Sequence, residues 1–397
     1  MNRTKAIADR TAIVTFKGEP AGRLEERGND SRFLYNDGWS ETIACTLPAT
    51  TRDHYWRGGL HPFFEHLGPE GWLRGRQARA GGISDQDDFG ILLNYGADCI
   101  GAVGVRPDDD HAPIVTAEPE TVAEAAVVPG RTLSGVQKKL LAYRDASGFH
   151  PTVHGDDPAT HIAKFNRDDD LPTLVLNENS TLQLGREVLG DAEVTRAHIG
   201  QLRGFDGVSL LVERFDRNAG RRLRLEDFAQ VLNKPRGRDF SGKYQSSYEE
   251  AAQAITSHSA RPKVDLLRYF RLVVFNLVVG NADAHLKNFS LLEQPDGLRL
   301  SPAYDLVNTI VYPEYDRVAA LEINGRRRPF DQINRALVEQ LGLDIGLSKK
   351  TVEQSLDNLA KRFASAQTLT LSNNVQPHEF RARYRDIIAD NAERVLT

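Results

Sequence analysis

The sequence predicts an α+β chain in two parts: a small N-terminal β/α domain over residues 1–128, and a bilobal unit over 129–397 that ends in a mainly helical lobe. Three observations carry that reading. Residues 11 to 35 alternate and break like a small sheet. Pro107 to Val128 is acidic, proline-bearing and poor in aromatics, the composition of an exposed connector. From about Leu341 to Thr397, apolar residues recur at helical spacing among Arg- and Glu-rich faces.

Length and composition fit this division. A chain of 397 residues is long enough for two domains, and 40% hydrophobic with 26% charged residues is ordinary globular material. A formal charge of -5 argues against coating nucleic acid by bulk electrostatics. The two cysteines, Cys45 and Cys99, form no CxxC, so neither a disulfide framework nor a zinc module is indicated. Met1-Asn2-Arg3-Thr4-Lys5 leads into no signal-like apolar core, and the apolar runs are too short to span a bilayer. A soluble protein of the reducing cytoplasm is the expectation.

In the N-terminal part, Thr11 to Phe16 reads as a strand, Lys17-Gly18-Glu19-Pro20 as a turn, and Gly22 to Leu24 and Phe33 to Tyr35 as further strands. Phe63 to Leu67 suggests a short helix stopped by Gly68 and Pro69, and Asp87 to Leu93 another, ended by Asn94-Tyr95-Gly96. His61 and His66 lack a third ligand nearby and read as structural.

The second part opens near Pro129. Its front section, about 129–217, begins with the turn Arg131 to Leu140, small, hydroxyl-bearing and carrying Lys138 and Lys139, which suits backbone N–H and ammonium groups facing phosphates. His161-Ile162-Ala163-Lys164-Phe165 is a strand with an apolar-flanked lysine. A helix follows from about Thr173 to Leu189, ending at Gly190, and either Glu178 or Glu187 is placed to meet Lys164, with Glu178 preferred. Ser209 to Asp216 reads as a buried strand running into a turn, Arg221 to Leu225 as a basic strand, and Glu226 to Leu232 as a helix. Lys234 to Gln245 is Gly-bearing and basic, with the composition of a mobile loop.

The back section, about 218–397, is organised around Gly280 to Phe289. Lys263 to Val279 forms a long helix-compatible stretch that delivers this loop. Within it Asp283 precedes Asn288 by five positions, the spacing of a kinase catalytic loop, where the Asp orients the acceptor hydroxyl and the Asn holds magnesium. A hairpin follows, Phe289 to Leu292 and Leu298 to Leu300 about Gln294-Pro295-Asp296-Gly297, and it delivers Asp305. Hard oxygen ligands of this kind suit Mg²⁺ bridging phosphates. Arg326-Arg327-Arg328 is a basic run, read as solvated surface or a docking patch.

Phosphate loop, strand lysine, acidic helix, hinge strand, Asp-x4-Asn, hairpin and a further Asp stand in the order that a bilobal, protein-kinase-like fold requires. The residues also carry a resemblance. Ser134 to Lys139, His161 to Lys164, Glu213 to Arg217, Asn281 to Ser290 and Tyr304-Asp305 look like the motif set of the HipA family. Phe63-Phe64 with Leu67 to Gly71, and Gly96 to Asp98 with Gly101-Ala102, are similar to that family's N-terminal domain. These are serine/threonine kinases acting as toxins of type II toxin–antitoxin systems.

The resemblance implies roles. Asp283 would be the catalytic base, with His285 and Lys287 in the catalytic loop and Lys287 neutralising the transferred phosphoryl. Asn288 and Asp305 would hold Mg²⁺. Lys164 would contact ATP phosphates; Ser134, Gly135, Val136, Gln137, Lys138 and Lys139 would cover the nucleotide; Glu213, Arg214 and Phe215 would form the hinge. In this family the nucleotide loop can be autophosphorylated, which ejects the loop and silences the enzyme, and Thr132 and Ser134 are the matching hydroxyls. Thr132 stands where many members carry Ser, and Lys138 where relatives often have Glu.

Implied partners are a HipB-type helix-turn-helix antitoxin, operator DNA through it, and a protein substrate such as an aminoacyl-tRNA synthetase, whose phosphorylation stops translation and promotes dormancy. Two other readings share parts of the pattern. One is a non-catalytic co-repressor scaffold, suggested by Arg326 to Arg328 and Lys234 to Lys243. The other is a small-molecule kinase with the same Asp-x4-Asn geometry.

Overall fold

A computed structural model describes residues 9–108, 121–133, 137–153, 157–166, 172–370 and 378–397. The chain forms two compact units, one of Met1–Phe165, Gln201–Gly207 and Asp216–Phe240, the other of Asn166–Gly200, Val208–Phe215 and Ser241–Thr397. The backbone therefore passes between the units more than once.

The first unit opens with an antiparallel sheet of β1 (Arg10–Phe16), β2 (Glu19–Arg27), β3 (Asp30–Tyr35), β4 (Asp53–Trp56) and a later β5 (Val103–Arg106), in the order β4-β3-β2-β1-β5. Alternation sets the inner face: Ala12, Val14 and Phe16 are buried, with Leu24, Phe33 and Tyr35 from the neighbouring strands. β1 turns into β2 through Lys17-Gly18, both at positive φ, 54° and 93°, as a two-residue hairpin requires. Phe63, Phe64, Phe89 and Leu92 complete this core from the helices α1 (Pro62–Glu65) and α3 (Asp88–Tyr95). Between them lies α2 (Gly71–Gly81), which sequence periodicity does not reveal. Its buried side includes Arg74 and Gln77 besides Leu73 and Ala78, so no apolar stripe marks it.

The expected connector is partly folded. Residues 109–120 of it lie outside the described residues. After them Thr121 and Glu124 form a capping box for α4 (Val122–Ala125), and Ala126 and Val128 are buried. β6 (Lys139–Asp145), β7 (Gly148–Pro151) and β8 (His161–Phe165) then form antiparallel ladders, β6 pairing with both others.

The second unit holds α5 (Leu174–Leu189), the antiparallel pair β9 (Ala197–Gly200) and β10 (Ser209–Glu213), and the helices α6 (Tyr248–His258) and α7 (Pro262–Val279). The hairpin β11 (Ser290–Gln294) and β12 (Gly297–Leu300) follows, then the hairpin β13 (Val318–Ile323) and β14 (Arg326–Pro329). The helices α8 (Arg335–Asp344), α9 (Lys349–Thr370) and α10 (His378–Leu396) close the chain, as the C-terminal periodicity predicts. The α+β, kinase-like class expected from the sequence is the class observed. No helix among the described residues is long and apolar enough to cross a membrane.

α7 is the scaffold of this unit. Every residue from Leu272 to Val279 is buried, which an apolar-all-round helix demands. It stops at Gly280, whose φ of 76° is left-handed, and a Cβ there would lie 2.5 Å from Ile310 Cγ1. Gly280→Val is expected to cost about 3 kcal/mol, from left-handed strain plus overpacking, read as a lowered denaturation midpoint.

The Arg326 to Arg328 run is less available than its composition suggests. Arg327 Nε donates to the Ala319 carbonyl at 3.0 Å and Arg328 Nε to the Ile323 carbonyl at 3.2 Å, so two of the three guanidinium groups lie against their own hairpin.

Candidate active site

The loop after α7 is held by a small set of polar side chains. Asn281 is buried, and its Nδ2 donates to Asn276 Oδ1 at 2.8 Å and to the Asp305 carbonyl at 3.3 Å. Its Oδ1 accepts from the Asp283 N–H at 3.1 Å, an Asx-type turn that aims Asp283. Thr309 Oγ1 accepts from the Ala282 N–H at 2.7 Å and donates to the Gly280 carbonyl at 3.2 Å. Asn281 and Thr309 together bind the Asp283 loop to the segment carrying Asp305, which the sequence separates by a whole hairpin.

Within this frame the Asp283 side chain is 50% exposed. Its Oδ1 accepts a hydrogen bond from the Tyr244 hydroxyl at 2.5 Å, and His285 Nε2 lies 3.8 Å from the same oxygen. Among the described residues Asp283 Oδ2 accepts no hydrogen bond. Asn288 sits in the one-turn segment Leu286–Asn288 and is buried, and its Oδ1 accepts none among the described residues. A buried amide oxygen without a donor costs free energy unless a cation or water takes it. Asp305 has φ 52°, a left-handed conformation that costs a non-glycine residue about 1–2 kcal/mol and that asparagine and aspartate tolerate best.

One carboxylate and one amide are hard oxygen donors of the kind Mg²⁺ takes, so the residues present fit that ion. No group of three His, Cys, Asp or Glu among the described residues forms a metal site. A cation held by Asn288 and Asp305 would then complete its shell with phosphate oxygens and water, the usual habit of Mg²⁺.

The expected hinge adjoins this loop. Phe215 packs on Tyr304 with ring centroids 5.7 Å apart, and the Tyr304 hydroxyl donates to the Lys287 carbonyl at 2.8 Å. The Glu213 N–H is spent on the Arg196 carbonyl at 2.8 Å, and its carbonyl accepts from Thr195 Oγ1 at 3.1 Å. The Glu213 backbone is therefore committed within its own strand neighbourhood. Arg214 itself is buried.

In the first unit, Lys139 and Lys164 are directly opposite in the β6–β8 register, and both are buried, at 8% and 5% exposure. The Phe165 N–H donates to the Lys138 carbonyl at 3.0 Å, and Gln137 Nε2 donates to the Phe165 carbonyl at 3.1 Å. Gln137, Lys138 and Lys139 are thus gathered with Lys164. Ser134, Gly135 and Val136 lie outside the described residues. Thr132 is 1% exposed, and its hydroxyl donates to Gln77 Oε1 at 3.1 Å.

Of the two glutamates set against Lys164, Glu178 is buried and Glu187 is exposed. His61 and His66 serve separate structural ends. His61 Nδ1 caps α1 by accepting from the Phe63 N–H at 3.2 Å, and burial pushes its imidazole down to about 4, keeping that nitrogen an acceptor at neutral pH. His66 Nε2 meets the Lys234 carbonyl at 2.8 Å.

Lys234 to Gln245 is not the loose basic loop that its composition predicts. Arg236 and Lys243 are buried, Arg236 pairs with Asp88 at 2.9 Å, and Ser241–Tyr244 forms a helical turn. Sequence reasoning assigned no role to Asn281 or Tyr244. The Asn-x-Asp spacing was a signal for the first. Nothing local marks Tyr244, which meets Asp283 across 39 residues of chain.

Comparison with known proteins follows the same lines. Residues 131–367 match the HipA-like C-terminal domain, and residues 12–106 match the HipA N-terminal domain. Y4mE of Sinorhizobium fredii, which its name assigns to the kinases by inference, is 28% identical over 97% of this chain and 98% of its own. The serine/threonine-protein kinase toxin HipA of Shewanella oneidensis is 28% identical over 79% of each chain. The fold is shared with a chain from the Shewanella oneidensis complex of HipA, HipB and operator DNA, at a TM-score of 0.76 and 23% identity over 97% of each.

Proposed function

The chain belongs to the HipA family of kinases, and from that premise we propose that it transfers the γ-phosphoryl group of ATP to a serine or threonine hydroxyl of a protein. One observation carries the reading: Asn281 ties the Asp283 loop to Asp305, joining a half-exposed carboxylate, a buried amide oxygen without a donor and a second carboxylate in one frame.

The division of labour follows from the chemistry. Asp283 takes the proton of the attacking hydroxyl through its open oxygen. Asn288 and Asp305 would hold Mg²⁺, which when bound neutralises charge on the β- and γ-phosphates. Lys164 and Lys139, opposite one another on β8 and β6, supply positive charge for the phosphates. Lys287, on the carbonyl side fixed by Tyr304, balances the charge of the moving phosphoryl group. Glu213, Arg214 and Phe215 are assigned the hinge from the family resemblance, with Phe215 packed on Tyr304. Glu178, buried on α5, is the acidic helix residue that the sequence pattern favours.

The proposed role is that of a toxin restrained by a HipB-type antitoxin, with operator DNA engaged through that partner and a translation component, such as an aminoacyl-tRNA synthetase, as target. The relatives named above support this assignment. Self-modification is assigned to Ser134 over Thr132, because the Thr132 hydroxyl is buried and already spent on Gln77.

Incubation of the chain with ATP, Mg²⁺ and a cell lysate, followed by mass spectrometry, tests the proposal. The expected result is a phosphate on Ser134, none on Thr132, and a phosphorylated serine or threonine in a translation protein. Modification of a small alcohol with no phosphoprotein would replace this reading with a small-molecule kinase.

A further inference from the structure

Two tyrosines four residues apart in the chain, one ending the Ser241–Tyr244 turn and one opening α6, hold the Asp283 loop. Tyr248, fully buried at the start of α6, donates its hydroxyl to the Ala284 carbonyl at 3.2 Å and so fixes the backbone next to Asp283. Tyr244 donates its hydroxyl to Asp283 Oδ1 at 2.5 Å and so fixes the side chain. The Tyr244 ring is itself restrained. It meets the His285 ring edge-on, with centroids 5.0 Å apart and planes at 79°. The Lys243 ammonium lies 5.4 Å from its centroid and the Arg327 guanidinium 6.0 Å. Its backbone is closed into a turn by the Gln245 N–H on the Gly242 carbonyl at 3.1 Å, and Ser247 then caps α6.

A carboxylate has two oxygens and a free torsion. Left alone on a half-exposed loop, it would sample orientations in which neither oxygen faces an acceptor. A hydrogen bond to one oxygen from a rigid donor removes that freedom and dedicates the other oxygen to the substrate. Here Oδ1 is engaged by Tyr244, and Oδ2 accepts no hydrogen bond among the described residues.

We propose that Tyr244 is a positioning residue for the catalytic base, holding Oδ1 of Asp283 so that Oδ2 receives the acceptor hydroxyl. The inference rests on the assignment of Asp283 as base. It also gives the Arg326 to Arg328 run a purpose, since Arg327 braces the ring that holds the base.

Tyr244→Phe removes one oxygen and keeps the ring contacts. It is expected to lower kcat for transfer from labelled ATP by about 10-fold, because misorientation of a reacting group is costly. The KM for ATP and the thermal midpoint should stay unchanged, since the hydroxyl touches neither the nucleotide motifs nor the core. An unchanged kcat overturns the proposal. So does a faster reaction, which would make Tyr244 a plug that the acceptor must displace. A loss shared between kcat and ATP affinity overturns it too, as general disorder of the site. Should the Phe variant fail to fold, Arg327→Ala tests the same link from behind the ring, with a smaller fall in kcat expected and no fall overturning it. Full transfer activity in Asp283→Asn is a separate result: it removes the base assignment itself and leaves the effect of Tyr244→Phe unexplained by positioning.

Discussion

Asp283→Asn is expected to lower phosphoryl transfer by about 10²–10⁴-fold while leaving the fold and ATP binding intact, the span a positioned general base usually contributes. The substitution is nearly isosteric. Its amide keeps an oxygen for the Tyr244 hydroxyl and leaves the Asn281 cap on the backbone N–H, so the loop frame at 2.5 and 3.1 Å is preserved. What disappears is the capacity to take a proton. Transfer from γ-labelled ATP, measured beside a thermal melt of the same sample, separates lost chemistry from lost structure. Undiminished transfer would remove Asp283 from the role of base.

The second large effect is expected far from the loop, at the other end of α7. Asp265 is fully buried. Arg299 grips both of its oxygens, at 2.8 and 3.0 Å, and Arg268 meets Oδ1 at 3.0 Å. Ser259 Oγ and the Leu300 N–H donate to Oδ2 at 2.6 and 3.0 Å. This carboxylate ties the start of α7 to β12. Asp265→Ala leaves both guanidinium groups and a backbone N–H without it, and is expected to cost about 3–5 kcal/mol, read by chemical denaturation. The C-terminal end of the same helix carries the Asp283 loop, so reduced activity should accompany the loss of stability and recover at lower temperature.

That contribution has a definite pH dependence. Burial pushes the Asp265 carboxyl up, but the hydrogen bonds from Arg299, Ser259, Leu300 and Arg268 outweigh it and hold the group below the usual carboxylate range. A folded-state value below the unfolded one, near 3.9, means that the unfolded chain binds the proton first on acidification. The stabilisation is therefore complete above roughly pH 4–5 and is lost as pH falls through the folded-state value. The difference in unfolding free energy between wild type and Asp265→Ala should be constant near neutrality and shrink below about pH 4.

Different parts of the molecule were legible to different degrees. The first sheet could be read because its strands alternate and its hairpin carries Lys17-Gly18, and these are properties of neighbouring residues. α7 and its stop could be read because a Val-rich apolar run, interrupted only by Asn276, meets a glycine. α2 could not, since its buried side carries Arg74 and Gln77, whose partners come from distant segments: Asp88 for Arg74, Ala126 and Arg131 for Gln77. The Lys234 to Gln245 stretch hides its structure for the same reason. Its charges look solvated in isolation, yet Arg236 is buried against Asp88 and Phe240.

The order and spacing of the motifs, Lys164, then Asp283 with Asn288, then Asp305, were set by the linear chain alone, and so were the α+β class and the family. Tertiary structure decided which groups support them. It set Asn281 between two loops, Tyr244 on Asp283, Lys139 across from Lys164, and Thr132 out of reach of solvent. The physical reason is range. Turn chemistry, capping and hydrophobic periodicity act over a few residues and are written locally, whereas a hydrogen bond spanning 39 positions exists only after the core has brought its ends together.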